Sequence, residues 1–129
     1  MKITGKLTVV GVAAAALAGA MTVAAPTASA TSYNGCAYPR VCFYLTANDW
    51  SAAAPNASYR DVTTSYQSLG SNSRGANHVW NTRNDDRAYL RYTQDGGTYY
   101  YCLKPNSGVT FNSSQTVTGV RIDTAATCP

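Results

Sequence analysis

The sequence predicts an all-β fold, a sandwich or a partly closed barrel, and three observations lead to this prediction. Short runs of alternating apolar and polar residues recur along the chain, separated by glycine, asparagine and proline. No stretch after residue 30 carries an apolar stripe at helical spacing. The chain also holds four cysteines, an even number, which in a short exported protein indicates that disulfides supplement a small core.

The first 30 residues are predicted to be a secretory signal peptide. Lys2 and Lys6 form a positive start, an Ala-rich apolar run follows over 7–20, and Ala28-Ser29-Ala30 is a small-x-small cleavage site. A membrane anchor is the alternative, but the apolar run is shorter than the roughly 20 residues that a span needs. Cleavage after Ala30 leaves one domain of 99 residues, 31–129, which we expect to be secreted, monomeric and free of the membrane.

A hairpin over residues 88–102 is the strongest local prediction. Apolar and polar side chains alternate from Ala88 to Thr93, which is typical of a half-buried strand. Asp95-Gly96-Gly97 tolerates the positive φ that a tight turn requires. Residues 98–101 are β-branched and aromatic and form the returning strand, which Cys102 anchors.

Further strands are predicted on both sides of the hairpin. They are a strand at 41–46, an edge strand within 58–66 and short strands at 77–81, 109–111 and 117–122. Residues 47–55 and 104–108 are expected to turn, because they contain Asn, Asp, Gly and Pro. The apolar phase slips across Gly119, which indicates a bulge or bend.

A weak internal repeat suggests how these strands are organised. Residues 41–50 and 88–97 share one layout, an alternating strand followed by a threonine and an Asn/Asp turn. Two copies of a four-stranded unit fit the length, and paired Greek keys would bury their inner faces against each other.

Two disulfides are predicted among the cysteines, although four cysteines allow three pairings. Cys36 and Cys42 are close in sequence and are expected to close a small loop, which leaves Cys102 with Cys128. The competing interpretation is a metal site, and it is weak because there is no Cys-x-x-Cys and the one histidine is His78. We therefore expect no metal ion and no cofactor.

Neither nucleic-acid binding nor catalysis is predicted. After processing, seven arginines and Lys104 face six aspartates, and the arginines are scattered along the sequence rather than clustered. Asp85-Asp86 is the one adjacent pair of acids, and such neighbours in a charged loop are typically solvated. A Ser-His-Asp site would have to use His78, and no Gly-x-Ser-x-Gly motif is present. We expect a protein that is not an enzyme.

The run from Cys36 to Tyr44 resembles the opening Cys-Pro-x-Gly-x-Val-Cys-Leu-Tyr of secreted actinobacterial proteins grouped as peptidase inhibitor family I36. Four later runs resemble the second half of that family: Tyr89-Leu-Arg-Tyr, Asp95-Gly-Gly, Cys102-Leu-Lys-Pro and Val120-Arg-Ile. The resemblance implies a βγ-crystallin-like sandwich of two Greek-key motifs and inhibition of metalloproteinases. Related crystallin-like proteins include a killer-toxin-like group.

The sequence departs from that family's pattern in two ways, and the second bears on crystallin-type calcium sites. Asp49-Trp50-Ser51 replaces a Gly-Gly, and Asn77-His78 and Thr118-Gly119 replace the Ser-Ser pairs. The corresponding windows, 73–78 and 114–119, contain no carboxylate, and oxygen ligands from carboxylates are what calcium needs. We expect no tight calcium site.

An inhibitor must present an extended, rigid segment to a protease cleft. The four residues Tyr101, Cys102, Leu103 and Lys104 fit this requirement, since they leave a strand and Cys102 pins them. Leu103 would follow the scissile bond of a thermolysin-like enzyme, although it could equally be a core residue. The main hypothesis is thus a secreted inhibitor of an extracellular peptidase. The alternatives are a toxin or envelope-binding module that uses a tyrosine-rich face around Tyr99–Tyr101, and a structural protein without a specific target.

Overall fold

Eight strands form two four-stranded antiparallel sheets in the computed structural model, which describes residues 31–129. The elements in chain order are β1 (Val41–Tyr44), α1 (Ala47–Ser51), β2 (Ala57–Tyr59), β3 (Gln67–Ser68), β4 (His78–Asn81), β5 (Ala88–Gln94), β6 (Gly97–Leu103), β7 (Ser107–Thr110) and β8 (Gln115–Ile122). Sheet one has the order β2-β1-β4-β7 and sheet two the order β3-β8-β5-β6. The all-β prediction is confirmed, while the predicted signal peptide lies outside the described residues.

The strands fall into two halves, β1–β4 and β5–β8, and the third strand of each half pairs within the sheet of the other half. β3 comes from the first half but pairs with β8, with Gln67 opposite Val120. β7 comes from the second half but pairs with β4, with His78 opposite Thr110. Neither half can therefore complete its sheet without the other, which locks the two sheets together.

The main core fills the space between the two sheets. Strand alternation directs one set of side chains inward from each sheet, as expected for packed antiparallel sheets. The buried members are Val41, Phe43, Leu69, Ala76, Val79, Ala88, Leu90, Leu103, Phe111, Val117, Val120 and Ile122. Complete burial of one such Leu or Phe side chain contributes roughly 1.5–3 kcal/mol.

A second, smaller core covers the outer face of sheet one. Cys36, Cys42 and Tyr44 are buried there against Trp50 and Trp80. Burial raises the pKa of Tyr44 to about 12, so its hydroxyl stays protonated and donates to a backbone carbonyl 2.7 Å away. This aromatic cluster seals a face that would otherwise be exposed to water.

Helix α1 places Trp50 in this second core, whereas the sequence predicted a turn throughout 47–55. The structural reason is a capping box, in which Thr46 and Asp49 each bond to the backbone of the other. The chain turns only after Ser51, so the prediction is wrong for the first half of the segment.

The predicted hairpin is confirmed as β5 and β6. Asp95 and Gly96 adopt φ of 50° and 80°, and Gln94 pairs with Gly97 across this two-residue loop. The predicted irregularity near Gly119 is also confirmed, because the pairing of β5 with β8 shifts register between Arg91 and Tyr92. The predicted turn at 104–108 ends earlier, since β7 already begins at Ser107.

Both predicted disulfides are present. Cys36 bonds to Cys42, and Cys102 bonds to Cys128 across 26 residues. Disulfides suggest an extracellular or otherwise oxidising compartment. None of the helices in residues 31–129 has the length and apolar character needed to cross a membrane.

Candidate functional site

The predicted reactive segment lies at the end of β6, but Leu103 belongs to the core. Its side chain is 1% exposed and pairs across the hairpin with buried Ala88. A residue in this position cannot enter a protease pocket unless β6 opens. The burial of Leu103 favours the core role that the sequence analysis left open, while exposed Lys104 follows the strand.

The exposed side chains of β6 lie just before Leu103, at three successive tyrosines. Tyr99, Tyr100 and Tyr101 are 49%, 58% and 40% exposed. All three are exposed because β6 is the last strand of sheet two, so the inward-directed Tyr99 and Tyr101 lie beyond the margin of the core. Tyr99 stacks on Tyr92 with ring centroids 5.7 Å apart, which fixes its orientation.

The free edge of β6 also presents backbone groups. The two-residue loop closes on the pair Gln94 and Gly97, and hydrogen-bonded pairs then alternate along an antiparallel ladder. This alternation directs the N–H and C=O groups of Thr98, Tyr100 and Cys102 away from β5. No strand within residues 31–129 pairs with that edge. It therefore offers a template for one more antiparallel strand.

A second feature is a cluster of tyrosine and arginine side chains on the outer face of sheet two. We call it the Tyr–Arg face, and its members are Tyr66, Arg87, Tyr89, Arg91 and Arg121. The guanidinium carbons of Arg87 and Arg121 lie 4.9 and 4.8 Å from the centroid of the Tyr89 ring. Those of Arg91 and Arg121 lie 5.4 and 5.5 Å from that of Tyr66. Each contact has cation–π geometry.

Hydrogen bonds hold the arginines of this face in place. Arg87 donates through Nε to both carboxylate oxygens of Asp123, and Arg121 donates to the same carboxylate at 3.2 Å. Arg91 donates to the hydroxyl and the carbonyl of Thr118. Burial alone would raise the pKa of Asp123, but the bonds and charges of Arg87 and Arg121 lower it overall. The aspartate therefore stays ionised and orients two guanidinium groups.

This arginine cluster could not be recognised in the sequence, because its members are far apart along the chain. Strand pairing brings them together, with Tyr89 opposite Arg121 and Arg91 opposite Gly119. The alternation within 88–93 places Tyr89 and Arg91 on the same side of the strand. The arginines meet only because β5 pairs with β8, and the periodicity within one strand does not specify which strand is its neighbour.

His78 lies in the second core and has no catalytic partner. Its ring stacks on Trp50 with centroids 3.8 Å apart, and Nδ1 lies 2.8 Å from the hydroxyl of Thr110. Nε2 is buried without a hydrogen bond in the described chain, and burial lowers the pKa of the ring. The neighbours on β1 and α1 are the aromatic rings of Tyr44 and Trp50, and no carboxylate within residues 31–129 hydrogen-bonds to the ring.

The remaining candidates for chemistry are engaged in structural contacts. Asp86 pairs with Arg83, and the same arginine donates to the carbonyl of Pro39. Among residues 31–129 no group of three or more His, Cys, Asp and Glu side chains is placed to hold a metal ion. A polar cavity of about 300 Å³ borders windows 73–78 and 114–119, and amide and hydroxyl groups such as those of Asn77, Asn112 and Thr116 line it.

Comparison with protein-family models, with curated proteins and with solved structures found no match to this chain. The resemblance in the sequence motifs therefore stays a prediction. The edge of β6 and the Tyr–Arg face are the two surfaces from which a function can be argued.

Proposed function

We propose that this domain is a secreted peptidase inhibitor that binds its target through the free edge of β6. One observation carries the proposal. A fully extended strand with an unpaired backbone edge presents three consecutive exposed tyrosines, Tyr99 to Tyr101. Peptide-binding clefts commonly hold an extended chain by adding it as a strand, and β6 already has that conformation.

The two ends of β6 are fixed, which is what an inhibitor requires. The two-residue turn at Asp95 and Gly96 closes one end, and the bond from Cys102 to Cys128 ties the other to the C-terminal segment. A segment that is already ordered loses little conformational entropy when it binds. The reactive segment of this proposal is thus shifted from residues 101–104 to Tyr99–Tyr101 within β6.

The tyrosines supply the side-chain part of the proposed contact. Tyrosine is enriched in protein interfaces because it combines a large apolar ring with a polar hydroxyl. Tyr99 and Tyr101 project to one side of β6 and Tyr100 to the other, so a partner strand would meet both sides. The resemblance to peptidase inhibitor family I36 makes metallopeptidases the first class to test.

We also propose that the two halves are Greek-key motifs of the βγ-crystallin type. The exchange of β3 and β7 between the sheets supports this assignment. So does the equivalent position of the two exchanged strands, since each pairs with the last strand of a half. Secretion is supported by the two disulfides and by the signal peptide predicted from residues 1–30.

The test is an inhibition panel with purified protein against thermolysin-like, subtilisin-like and trypsin-like enzymes. We expect saturable, stoichiometric inhibition of at least one metallopeptidase. Tyr100→Pro removes an N–H that faces away from β5, and edge strands tolerate proline at such positions. This variant should fold and inhibit at least tenfold more weakly.

The matched control is Tyr38→Ala, which removes an exposed tyrosine from the loop of the first disulfide. It should inhibit as the parent protein does. If the folded parent inhibits no enzyme of the panel, or if Tyr100→Pro inhibits as well as the parent, the proposal is wrong.

An envelope-binding module or toxin is the second candidate, and the Tyr–Arg face favours it. This face lies on the open side of sheet two and borders β6, because Tyr100 is opposite Arg91 and its ring centroid is 5.4 Å from that of Tyr66. Growth arrest of neighbouring microbes by the purified protein, in the absence of any peptidase inhibition, would support this candidate over the first.

A further inference from the structure

We infer that the Tyr–Arg face binds an acidic polysaccharide. Arg87, Arg91 and Arg121 converge on this face, and Asp123 is the one acidic group that contacts them in the described chain. The cluster therefore carries an excess of positive charge. Its natural ligand is a molecule with several negative groups.

The arginines keep terminal nitrogens that no group of the described chain binds. Their guanidinium carbons lie over the rings of Tyr66 and Tyr89. In the part of the chain that the structure describes, Arg87 bonds through Nε and Nη1, Arg91 through Nε and Nη2, and Arg121 through Nη1. Each arginine thus keeps a terminal nitrogen for an external acceptor.

This arrangement lowers the cost of binding an anion. An isolated surface arginine must be immobilised when it binds, which costs side-chain conformational entropy. Here the stacked rings, Asp123 and Thr118 already hold the guanidinium groups. The planar N–H fork matches a carboxylate or a sulfate, and bidentate contacts to such groups are strong.

The shape of the face favours a polymer over a small ligand. The cavities of about 300 and 270 Å³ lie elsewhere, lined by residues around Asn112 and around Tyr33. The Tyr–Arg face is instead an open sheet surface, which suits an extended chain with a negative group on successive units. Tyrosine hydroxyls beside the arginines can bond to sugar hydroxyls, because a phenol hydroxyl both donates and accepts hydrogen bonds.

Nucleic acid fits this face less well, although it is also a polyanion. Single-stranded nucleic acids gain much of their affinity from bases stacked on free aromatic rings. The rings of Tyr66 and Tyr89 are already engaged by guanidinium groups, each ring by two of them. Acidic proteins lack the regular spacing of charge. Both classes become comparison ligands in the experiment.

The experiment measures binding of the purified protein to heparin and to polygalacturonate by calorimetry at physiological salt. Neutral dextran, duplex DNA and polyglutamate serve as comparison ligands. We expect saturable binding to at least one acidic polysaccharide, tighter than to DNA or polyglutamate and weakened by added salt. Dextran should not bind.

Two double variants identify the face. Arg91→Gln with Arg121→Gln should lower the affinity at least tenfold. Arg60→Gln with Arg74→Gln removes the same charge from exposed positions outside the face and should change it less than twofold. Arg91→Lys with Arg121→Lys keeps the charge but removes the planar fork, and should lower the affinity at least fivefold.

Several results would overturn the inference: no binding to either polysaccharide, equal or tighter binding to DNA or polyglutamate, equal losses in the two glutamine variants, or full affinity in the lysine variant. Circular dichroism shows whether each variant is folded. If the Arg91→Gln, Arg121→Gln variant does not fold, the Arg91→Lys, Arg121→Lys variant still tests the inference. Tyr100→Pro and the arginine variants are each measured in both assays, because Tyr100 is opposite Arg91 and its ring centroid is 5.4 Å from that of Tyr66. A variant that loses one activity and keeps the other separates the two surfaces. The inference and the proposed function can thus fail separately.

Discussion

The guanidinium group of Arg91 lies directly on the backbone of Gly119. A Cβ atom at Gly119 would be 2.8 Å from Nη2 and 2.9 Å from Cζ of that arginine. The two residues are opposite each other on β5 and β8, next to the shift in register. The extra residue of the bulge, Thr118, receives two hydrogen bonds from the same arginine. The bulge and Gly119 together position the guanidinium group of Arg91, one of the three arginines of the Tyr–Arg face.

Substitution of Gly119 by alanine should displace Arg91 without unfolding the protein. The clash falls on the end of a flexible side chain, so we expect a loss of about 1 kcal/mol in the free energy of unfolding, at the low end for added core volume. Urea denaturation measures this loss. Affinity for an acidic polysaccharide should fall at the same time, and an unchanged affinity would separate Arg91 from the binding surface.

Gly108→Ala should be more costly, because its Cβ would meet rigid groups. The nearest atoms are Cε3 of Trp80 at 2.6 Å and Nε2 of His78 at 2.8 Å, both within the second core. We expect a loss of about 2–3 kcal/mol in urea denaturation, which is typical of overpacking in a well-filled core. Gly70→Ala is the control, since no atom lies within 4 Å of its Cβ position. It should stay within about 0.5 kcal/mol of the parent, and equal losses in the two variants would refute the packing argument.

Local features of the fold could be predicted from the sequence because the residues that encode them are adjacent. The hairpin at Asp95 and Gly96 depends on two turn residues and an alternating pattern, and both are visible in the sequence. Helix α1 was missed although the signal was present, since Thr46 and Asp49 have the spacing of a capping box. An isolated turn of helix carries no apolar stripe, and its one anchor is Trp50.

Long-range features could not be predicted, because they depend on which strands pair. The seven scattered arginines excluded a basic cluster in the sequence, yet β5 and β8 bring Arg91 and Arg121 to one face. Leu103 illustrates the same limit. Its position after Cys102 suggested exposure, whereas the pairing with Ala88 places it over the core.

The stability of the domain should decrease in mild acid because of His78. Burial lowers the pKa of this ring in the folded state below the usual 6.5. As the pH falls below about 6.5, the unfolded chain takes up a proton that the folded protein resists, so the free energy of unfolding decreases. Above that pH the contribution of His78 is constant. Thermal denaturation at pH 7.5 and pH 5.0 measures the difference.

His78→Phe is the control for this pH effect. Phenylalanine keeps an aromatic ring against Trp50 but cannot take up a proton, although it loses the bond to Thr110. We expect the variant to show a smaller decrease in melting temperature between pH 7.5 and pH 5.0 than the parent protein. Equal decreases in the two proteins would assign the acid sensitivity to other groups.

Removal of the second disulfide should weaken inhibition as well as stability. The bond from Cys102 to Cys128 closes a loop of 26 residues in the unfolded chain, and its loss in the double alanine variant should cost about 3 kcal/mol. Without it, the end of β6 is free to fray, so the proposed inhibitory strand must be ordered on binding and the inhibition constant should rise at least tenfold. The control replaces Cys36 and Cys42, which close a shorter loop on sheet one, and should cost about 2 kcal/mol with little effect on inhibition. Equal inhibition by both folded variants would show that the rigidity of β6 does not matter for the target.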